Sequence, residues 1–195
     1  MLILDTLVTR LGVKFFAYRA GMRLLAFNSR VFIALFHIFI WSFLGYLEIS
    51  NGLESDIKCL NSIKQSFEDP YNYLNSSWNF NNNTEAFICG FVGVECWNLD
   101  GNEVSNIRLF DMGLREQFPR GIKNCSHLTG LDLLSNELSG PLPFDIAALV
   151  PFVTSLDLSG NKFSGEIPKS IANCTYLSVL KLENNNLTGV IRFIC

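Results

Sequence analysis

Side chains that could support catalysis are few in this 195-residue sequence, and they form no constellation. Of the two histidines, His37 lies inside an apolar stretch and His127 lies at a boundary between repeated segments. Asp132 and Asp157 recur in phase with the repeat, which indicates a strand-face pattern rather than an acid–base pair. The sequence contains no phosphate-binding loop or kinase elements, and its net charge of −3 gives no reason to expect nucleic acid. We therefore predict a protein that is not an enzyme and needs no cofactor or metal.

A repeat of 24 or 25 residues organises the second half of the chain. Similar segments begin at Leu128, Val153 and Leu177 and share the skeleton L-x-x-L-x-L-x-x-N-x-L-(S/T)-G-x-(I/L)-P. Self-similarity at this period is the signature of a leucine-rich-repeat solenoid. The predicted fold class is thus an α/β solenoid, a short right-handed superhelical stack with parallel strands on its concave face. Recognition is favoured over catalysis, because such solenoids present extended binding surfaces.

Each part of the repeat has a structural role. Leu156 and Leu158 alternate along a short strand and point into the core, while the polar residues between them point outward. An amide that can both donate and accept follows each strand where the backbone turns, at Asn136, Asn161 and Asn185. The segment from Val104 fits the same frame, but Met112 replaces the asparagine and Glu116-Gln117 replaces the Ser-Gly pair. We interpret it as a degenerate first coil.

The S/T-G-x-I-P motif resembles that of plant extracellular leucine-rich-repeat proteins, most of them receptor-like kinases and receptor-like proteins. Residues 56–97 are similar to the N-terminal cap of that family, with Asp69-Pro70, Trp78 and the Cys89-x6-Cys96 pair. The early Cys59-Leu60 and the run from Ile88 to Trp97 are most similar to the BIR-type subgroup. The resemblance covers residues 56–194. In that family, further repeats, a membrane helix and a kinase domain would follow.

The resemblance implies a disulfide between Cys89 and Cys96, which would close a small ring in the cap; two thiolate metal ligands are the alternative. Cys125 and Cys174 occupy the same repeat position two coils apart, or roughly 10 Å at the strand spacing, which exceeds the bridging limit. Both are predicted to be buried and unpaired. Cys59 and Cys195 have no evident partner.

The N-terminal region is predicted to direct the chain into the secretory pathway. Residues 31–47 carry no formal charge and follow Arg23 and Arg30, so residues 31–52 are predicted to be a signal peptide or signal-anchor. Residues 1–30 form a basic, apolar extension, and either Met22 is the start or the extension stays cytoplasmic; a transit peptide is a third alternative. The basic excess on the amino side places the repeats outside the cytoplasm. The remaining domains are the cap, 53–103, and the repeats, 104–127, 128–152, 153–176 and the partial 177–195.

Partner binding is assigned to residues that flank the core leucines on the concave face. Phe110 and Leu134 are apolar where the skeleton requires no apolar residue, and neighbouring coils would bring them together as a hydrophobic anchor; the alternative is that they cover the edge of the cap. The predicted partner-binding residues are Arg108, Phe110, Asp132, Leu134, Asp157, Val179, Lys181 and Glu183. The predicted N-glycosylation sites are Asn75, Asn82, Asn124, Asn173 and Asn186.

The function that these observations favour is that of a non-catalytic protein- or peptide-binding module at the cell surface or in the apoplast. By the resemblance, the expected partner is the ectodomain of a co-receptor kinase, and the expected role is modulation of signalling in immunity or growth. Membrane association through residues 31–47 is a further expectation. The alternatives are a secreted inhibitor that resembles the polygalacturonase-inhibiting proteins, or a truncated gene product without independent function.

Overall fold

A computed structural model describes residues 37, 39–40, 54–81, 87–97 and 103–190. The chain divides into two units, Met1–Ser42 and Phe43–Cys195. In the first unit His37, Phe39 and Ile40 are helical and exposed, and the rest of the predicted extension and signal or anchor segment lies outside the described residues. None of the helices within the described ranges is long and apolar enough to cross a membrane.

The repeats build a five-stranded sheet along one face of the second unit. Its strands, in chain order, are β1 (Val94–Cys96), β2 (Val104–Arg108), β4 (Gly130–Asp132), β6 (Ser155–Asp157) and β8 (Val179–Lys181), and they lie in that order across the sheet. β1 comes from the cap and pairs antiparallel with β2, whereas all other pairs are parallel. Ile107, Leu131, Leu156 and Leu180 lie in register across the coils. The predicted solenoid with parallel strands is confirmed.

An asparagine ladder ties each coil to the coil before it. The Nδ2 group of Asn161 donates to the carbonyl of Leu133 at 2.8 Å, and its Oδ1 accepts the N–H of Leu138 at 3.1 Å. Asn136 and Asn185 make the equivalent bonds one coil earlier and one coil later. These amides satisfy backbone groups that the turn would otherwise leave buried and unpaired. Their predicted structural role is confirmed.

A second sheet, which the sequence analysis did not predict, follows the turn of each coil. Its parallel strands are β3 (Arg115–Glu116), β5 (Glu137–Pro141), β7 (Lys162–Glu166) and β9 (Asn186–Thr188). The glycines of the Ser-Gly and Thr-Gly pairs adopt positive φ here, with values of 82° at Gly140, 83° at Gly165 and 92° at Gly189. Positive φ is easily accessible only to glycine, which accounts for the residue at this point of the repeat.

The degenerate first coil keeps this backbone conformation without the glycine. Glu116 has a φ of 99°, matching the glycines of the later coils. Arg115 and Glu116 therefore occupy the Ser-Gly position, and the prediction that Glu116-Gln117 does so is wrong by one residue. The two-residue spacing from buried Leu114 to Glu116, like that from buried Leu138 to Gly140, sets the correct register.

The convex side carries one short helix per complete coil. These are a 3-10 helix at Arg120–Asn124, the α-helix α3 at Ile146–Leu149 and a 3-10 helix at Lys169–Asn173. Each buries one or two apolar side chains, among them Ile122, Ile146 and Ile171. Because a 24- or 25-residue coil leaves little chain for the return path, only one helical turn fits.

The cap closes the amino end of the solenoid core. Residues 54–66 form helix α1, which buries Leu60 and Ile63 beside Phe67. The short helix α2 (Tyr73–Ser77) begins where the Asp69 carboxylate accepts three backbone N–H bonds. Trp78 is fully buried, stacks on Phe91 and donates from Nε1 to the carbonyl of Val92 at 2.9 Å.

Two disulfides fix the cap. One joins Cys89 to Cys96, the pair that the family resemblance implies. The other joins Cys59 of α1 to Cys125, with a Cα–Cα distance of 5.4 Å, so the prediction that Cys125 is unpaired is wrong. That prediction weighed Cys125 only against Cys174, and it missed that α1 packs against the convex side of the first coil. In the chain-entropy model, closing a loop of this length stabilises the fold by about 4 kcal/mol.

Cys174 is free and buried, as predicted, and burial raises the pKa of its thiol. It occupies the position of Cys125 two coils further along, where α1 does not reach. Cys195 lies outside the described residues.

Candidate protein-binding surface

Three rows of side chains cross the concave sheet, one residue per coil in each row. The middle row consists of Arg108, Asp132, Asp157 and Lys181, which pair in register across β2, β4, β6 and β8. The row two residues earlier in each coil includes Val179 of β8. The row two residues later in each coil includes Phe110, Leu134 and Glu183. The structure therefore brings all eight predicted partner-binding residues onto one face.

Asp157 is not free to meet a partner. Its carboxylate is buried, and it accepts hydrogen bonds from the Ser159 hydroxyl at 2.5 Å and from Lys181 Nζ at 2.9 Å. Burial alone would raise the pKa of Asp157, but these bonds together hold it below the usual range. The prediction that the Asp157 side chain is available to a partner is wrong, because it is buried and Lys181 of the next coil bonds to its carboxylate.

Asp132 also has an internal role, since its Oδ1 accepts the N–H of Leu134 at 3.0 Å. The same bond recurs one coil later between Asp157 and the N–H of Ser159. The recurring aspartate thus holds the backbone as the chain leaves the strand. Asp132 differs from Asp157 in remaining partly exposed.

The charged ends of the middle row remain accessible. Arg108 forms an exposed ion pair with Glu95 of the cap strand, at 2.9 Å. At the other end, bonding to Asp157 raises the pKa of Lys181, whose side chain stays half exposed. The exposed Arg108–Glu95 pair adds little to stability, but together with Lys181 it gives the face a defined charge pattern.

Phe110 and Leu134 form the apolar part of the face. The N–H of Leu109 donates to the carbonyl of Asp132, and the N–H of Asp111 donates to that of Leu134, which places Phe110 beside Leu134. Phe110 is 51% exposed and Leu134 is partly exposed. The face therefore combines a partly exposed apolar pair with charged neighbours.

Two neighbours of this face escaped the sequence analysis. Glu95 lies beside the concave face because β1 joins the sheet, and the repeat pattern does not predict that pairing. The ring of Tyr71 packs against Gly113, three residues beyond Phe110, and is itself exposed. Both residues belong to the cap, which lacks the periodicity that located the other residues.

A lateral row of exposed rings lies outside the concave face. We define the lateral row as His127, Phe152 and Tyr176, each of which directly precedes the first core residue of a coil. Trp97 extends it from the cap by donating its Nε1–H to the carbonyl of His127 at 3.1 Å. The recurrence of aromatic residues at one repeat position was the sequence signal that could have revealed this row.

Asp56, near the amino end of the lateral row, is a buried carboxylate. Its Oδ2 accepts the N–H of Val104 at 2.7 Å, and its Oδ1 has no hydrogen-bond partner among the described residues. Burial raises the pKa of Asp56 to about 6, against lowering effects of the bond from Val104 and of nearby His127. The carboxylate connects the cap helix to the first repeat strand.

The predicted glycosylation sites differ in exposure. Asn75, Asn173 and Asn186 are exposed, Asn124 is partly buried, and Asn82 lies outside the described residues. Within the described residues, no group of three or more histidine, cysteine or acidic side chains is arranged to hold a metal ion.

Comparison with known proteins agrees with this architecture. The profile of the family described as "Leucine rich repeat N-terminal domain" matches residues 53–97, and that described as "Leucine Rich Repeat" matches residues 152–174. The crystal structure of the BIR2 ectodomain from Arabidopsis thaliana is similar with a TM-score of 0.66 and 48% identity, over 68% of each chain. A chain of the Arabidopsis thaliana BIR3–SERK2 complex is similar with a TM-score of 0.64 and 40% identity, over 68% of this chain and 70% of that chain.

The fold and its cap define the class as a plant-type leucine-rich-repeat solenoid. More particularly, the chain belongs to the family of plant leucine-rich-repeat receptor-like ectodomains of the BIR type. Among curated relatives, the inactive receptor-like serine/threonine-protein kinase BIR2 of Arabidopsis thaliana is 48% identical over 102 residues, which are 52% of this chain and 17% of that protein. The chain spans 17% to 25% of the length of the first such relatives.

Proposed function

We propose that the chain is a non-catalytic, extracellular protein-binding module that recognises the ectodomain of a co-receptor kinase at the cell surface or in the apoplast. The observation that carries the proposal is the concave face, where the half-exposed Phe110 lies beside Leu134 between charged groups. The structural similarity to a BIR3–SERK2 complex supports a co-receptor ectodomain as the class of partner. By occupying such a partner, the module modulates receptor signalling in immunity or growth.

The charge pattern supports a docking mode with a defined register. Arg108 with Glu95 lies at the cap end of the face, and Lys181 with Glu183 lies at the other end. Charged pairs at the rim of an interface fix orientation and reject mismatched partners, whereas buried apolar groups supply most of the affinity. Phe110 and Leu134 provide the apolar centre in this arrangement.

Membrane association and topology belong to the same proposal. Residues 31–52 act as a signal peptide or signal-anchor that delivers the cap and repeats to the extracellular side, where the Cys59–Cys125 and Cys89–Cys96 disulfides are stable.

Binding of the purified protein to a SERK2 ectodomain tests the proposal. We expect Phe110→Ser/Leu134→Ser to weaken binding about tenfold or more, because it removes the apolar centre. The matched control is Phe144→Ser, since Phe144 is 82% exposed but lies outside both sheets, just before α3. Equal affinity of the wild type and the Phe110/Leu134 variant would rule out the concave anchor. A wild type without measurable affinity would count against the partner class.

A further inference from the structure

The lateral row places two exposed rings beside a glycosylation sequon. Phe152 and Tyr176 are 50% and 59% exposed, and their ring centroids are 6.0 Å apart at an angle of 44°. The sequon Asn173-Cys174-Thr175 ends directly before Tyr176. Two adjacent exposed aromatic rings form an apolar surface patch whose contact with water is unfavourable.

Asn173 and Tyr176 bracket a single tight turn. Asn173 ends a 3-10 helix, and the N–H of Leu177 donates back to the carbonyl of Cys174 at 3.1 Å, which closes the turn. Three residues span at most about 10 Å even when fully extended, so the two side chains start close together. The first sugars of an N-linked glycan cover a comparable distance.

We propose that Asn173 carries an N-linked glycan whose first sugars pack on the Phe152–Tyr176 ring pair. A pyranose presents a face of C–H groups, which packs against the negatively polarised face of an aromatic ring. The glycan would thus cover apolar surface that belongs neither to the solenoid core nor to the concave face. This inference rests on the secretory route in the proposed function.

The modification is a group transfer from a lipid-linked donor. The Nδ2 atom of Asn173 forms a bond to the anomeric C1 of an oligosaccharide that is carried on a polyprenyl diphosphate. The bond between C1 and the diphosphate oxygen breaks, and the lipid diphosphate leaves with that electron pair. The amide nitrogen loses one proton to the base of the transferase.

A second sequon in the chain provides an internal comparison. Asn124-Cys125-Ser126 has nearly the same wording at the same repeat position, two coils earlier. There, however, Asn124 is partly buried, its carbonyl accepts the Ser55 hydroxyl at 2.5 Å, and Cys125 is bonded to Cys59. At the later site Asn173 is exposed and Cys174 is free. The cap thus shields the first sequon and leaves the second accessible.

A cavity continues the apolar surface toward the cap. It measures about 430 Å³ and is lined by Trp97, Glu103, Ser126, His127, Thr129 and Phe152. Its walls combine aromatic faces with hydroxyl and carboxylate groups, which suits the mixed apolar and polar surface of a sugar. Phe152 belongs to both the cavity and the ring pair, so the outer sugars have a continuous path.

Glycopeptide mapping by mass spectrometry, on the full chain expressed in plant cells, tests the modification. We expect Asn173 to be occupied and Asn124 to be largely unmodified. An unmodified Asn173 in a chain whose exposed Asn75 is glycosylated would overturn the inference and leave the secretory route intact. A chain without a glycan at Asn173 and at Asn75 would contradict both the inference and the secretory route. Modification of Asn173 without co-receptor binding would count only against the proposed function.

Thermal melting tests the packing of the glycan on the rings. Thr175→Ala removes the sequon, and we expect it to lower the melting temperature by roughly 2 °C in the wild-type background. In a Phe152→Leu/Tyr176→Leu background, with glycosylation of Asn173 verified by glycopeptide mapping, the same change should have no effect. Asn75→Gln, which removes a remote sequon, is the control and should behave alike in both backgrounds. An equal loss from Thr175→Ala in both backgrounds would show that the glycan does not pack on the rings.

Discussion

At the scale of single residues, polar groups inside the solenoid determine how one coil meets the next. Asn161 bonds to the preceding coil through both atoms of its amide, and Asp157 anchors Lys181 of the following coil. Asp56 plays a comparable part between the cap and the first coil, but only one of its oxygens has a hydrogen-bond partner among the described residues. An incompletely bonded carboxylate in a buried position makes the stability of the fold depend on pH.

We predict that Asp56 destabilises the folded protein progressively as the pH rises from about 4 to about 6. Burial raises its folded pKa to about 6, above the ordinary 3.8, so the folded state favours the protonated form. The contribution of Asp56 to stability is therefore complete below pH 4 and is lost as the pH passes through 6. Asp56→Asn should remove on the order of 1–3 kcal/mol of this pH dependence.

Urea denaturation at a series of pH values measures the effect. The wild-type and Asp56→Asn proteins should have similar free energies of unfolding near pH 4, and the variant should be the more stable near pH 7. Parallel pH profiles for the two proteins would contradict the prediction. Asn keeps an oxygen for the N–H of Val104, so the comparison isolates the charge.

The role of a residue could be predicted from the sequence where the same residue type recurs at the same position of several repeats. Three in-phase asparagines predicted an amide that bonds to the backbone at each turn, and the leucines of each strand predicted the core; the bonds from these amides to the preceding coil were not predicted. Asp157 was misplaced because its burial depends on Lys181, a residue that occurs at this position only once. A contact between two coils that does not recur leaves no periodic signal in the sequence.

At the scale of elements, the second sheet shows that a repeat position can keep its backbone conformation when its usual glycine is replaced. In β5, β7 and β9 or beside them, the backbone turns through a glycine at positive φ. β3 makes the same turn at Glu116, which accepts a conformation that costs a non-glycine residue about 1–3 kcal/mol. The strand persists because Arg115 and Glu116 pair in register with β5.

We predict that Glu116→Gly stabilises the protein by about 1 kcal/mol. Glycine relieves the strain at φ 99°, and part of this gain is offset by the greater freedom of glycine in the unfolded chain. Chemical denaturation monitored by circular dichroism gives the free energy of unfolding. A variant that is less stable than the wild type would show that the side chain of Glu116 contributes more than its backbone costs.

The matched reverse change is Gly165→Ala, which should destabilise the protein by a similar amount. An added Cβ at Gly165 would have Pro141 Cβ, 3.9 Å away, as its nearest neighbour, so the cost there is conformational rather than steric. The two substitutions test one backbone position in opposite directions.

At the scale of the whole molecule, the leucine-rich repeat alone does not explain how the amino end of the solenoid is built. The amino end is closed by α1, by β1 and by two disulfides, and three of the four bridging cysteines lie outside the repeat. Cap elements follow no period, so they were located through family resemblance, and Cys125 was wrongly predicted to be unpaired because its partner Cys59 lies in the cap.

The two bridges predict a local pattern in amide hydrogen exchange. In a solenoid each coil contacts only its neighbours, so a restraint at the cap stabilises mainly the coil beside it. The Cys59–Cys125 and Cys89–Cys96 disulfides restrain only the cap and the first coil. Reduction of the disulfides should therefore accelerate exchange in α1 and β2 and leave the rate in β6 unchanged. Exchange followed by mass spectrometry on the intact protein measures these rates. Equal acceleration in β2 and β6 would instead mean that the coils open as one cooperative unit and that the nearest-neighbour description does not hold for this molecule.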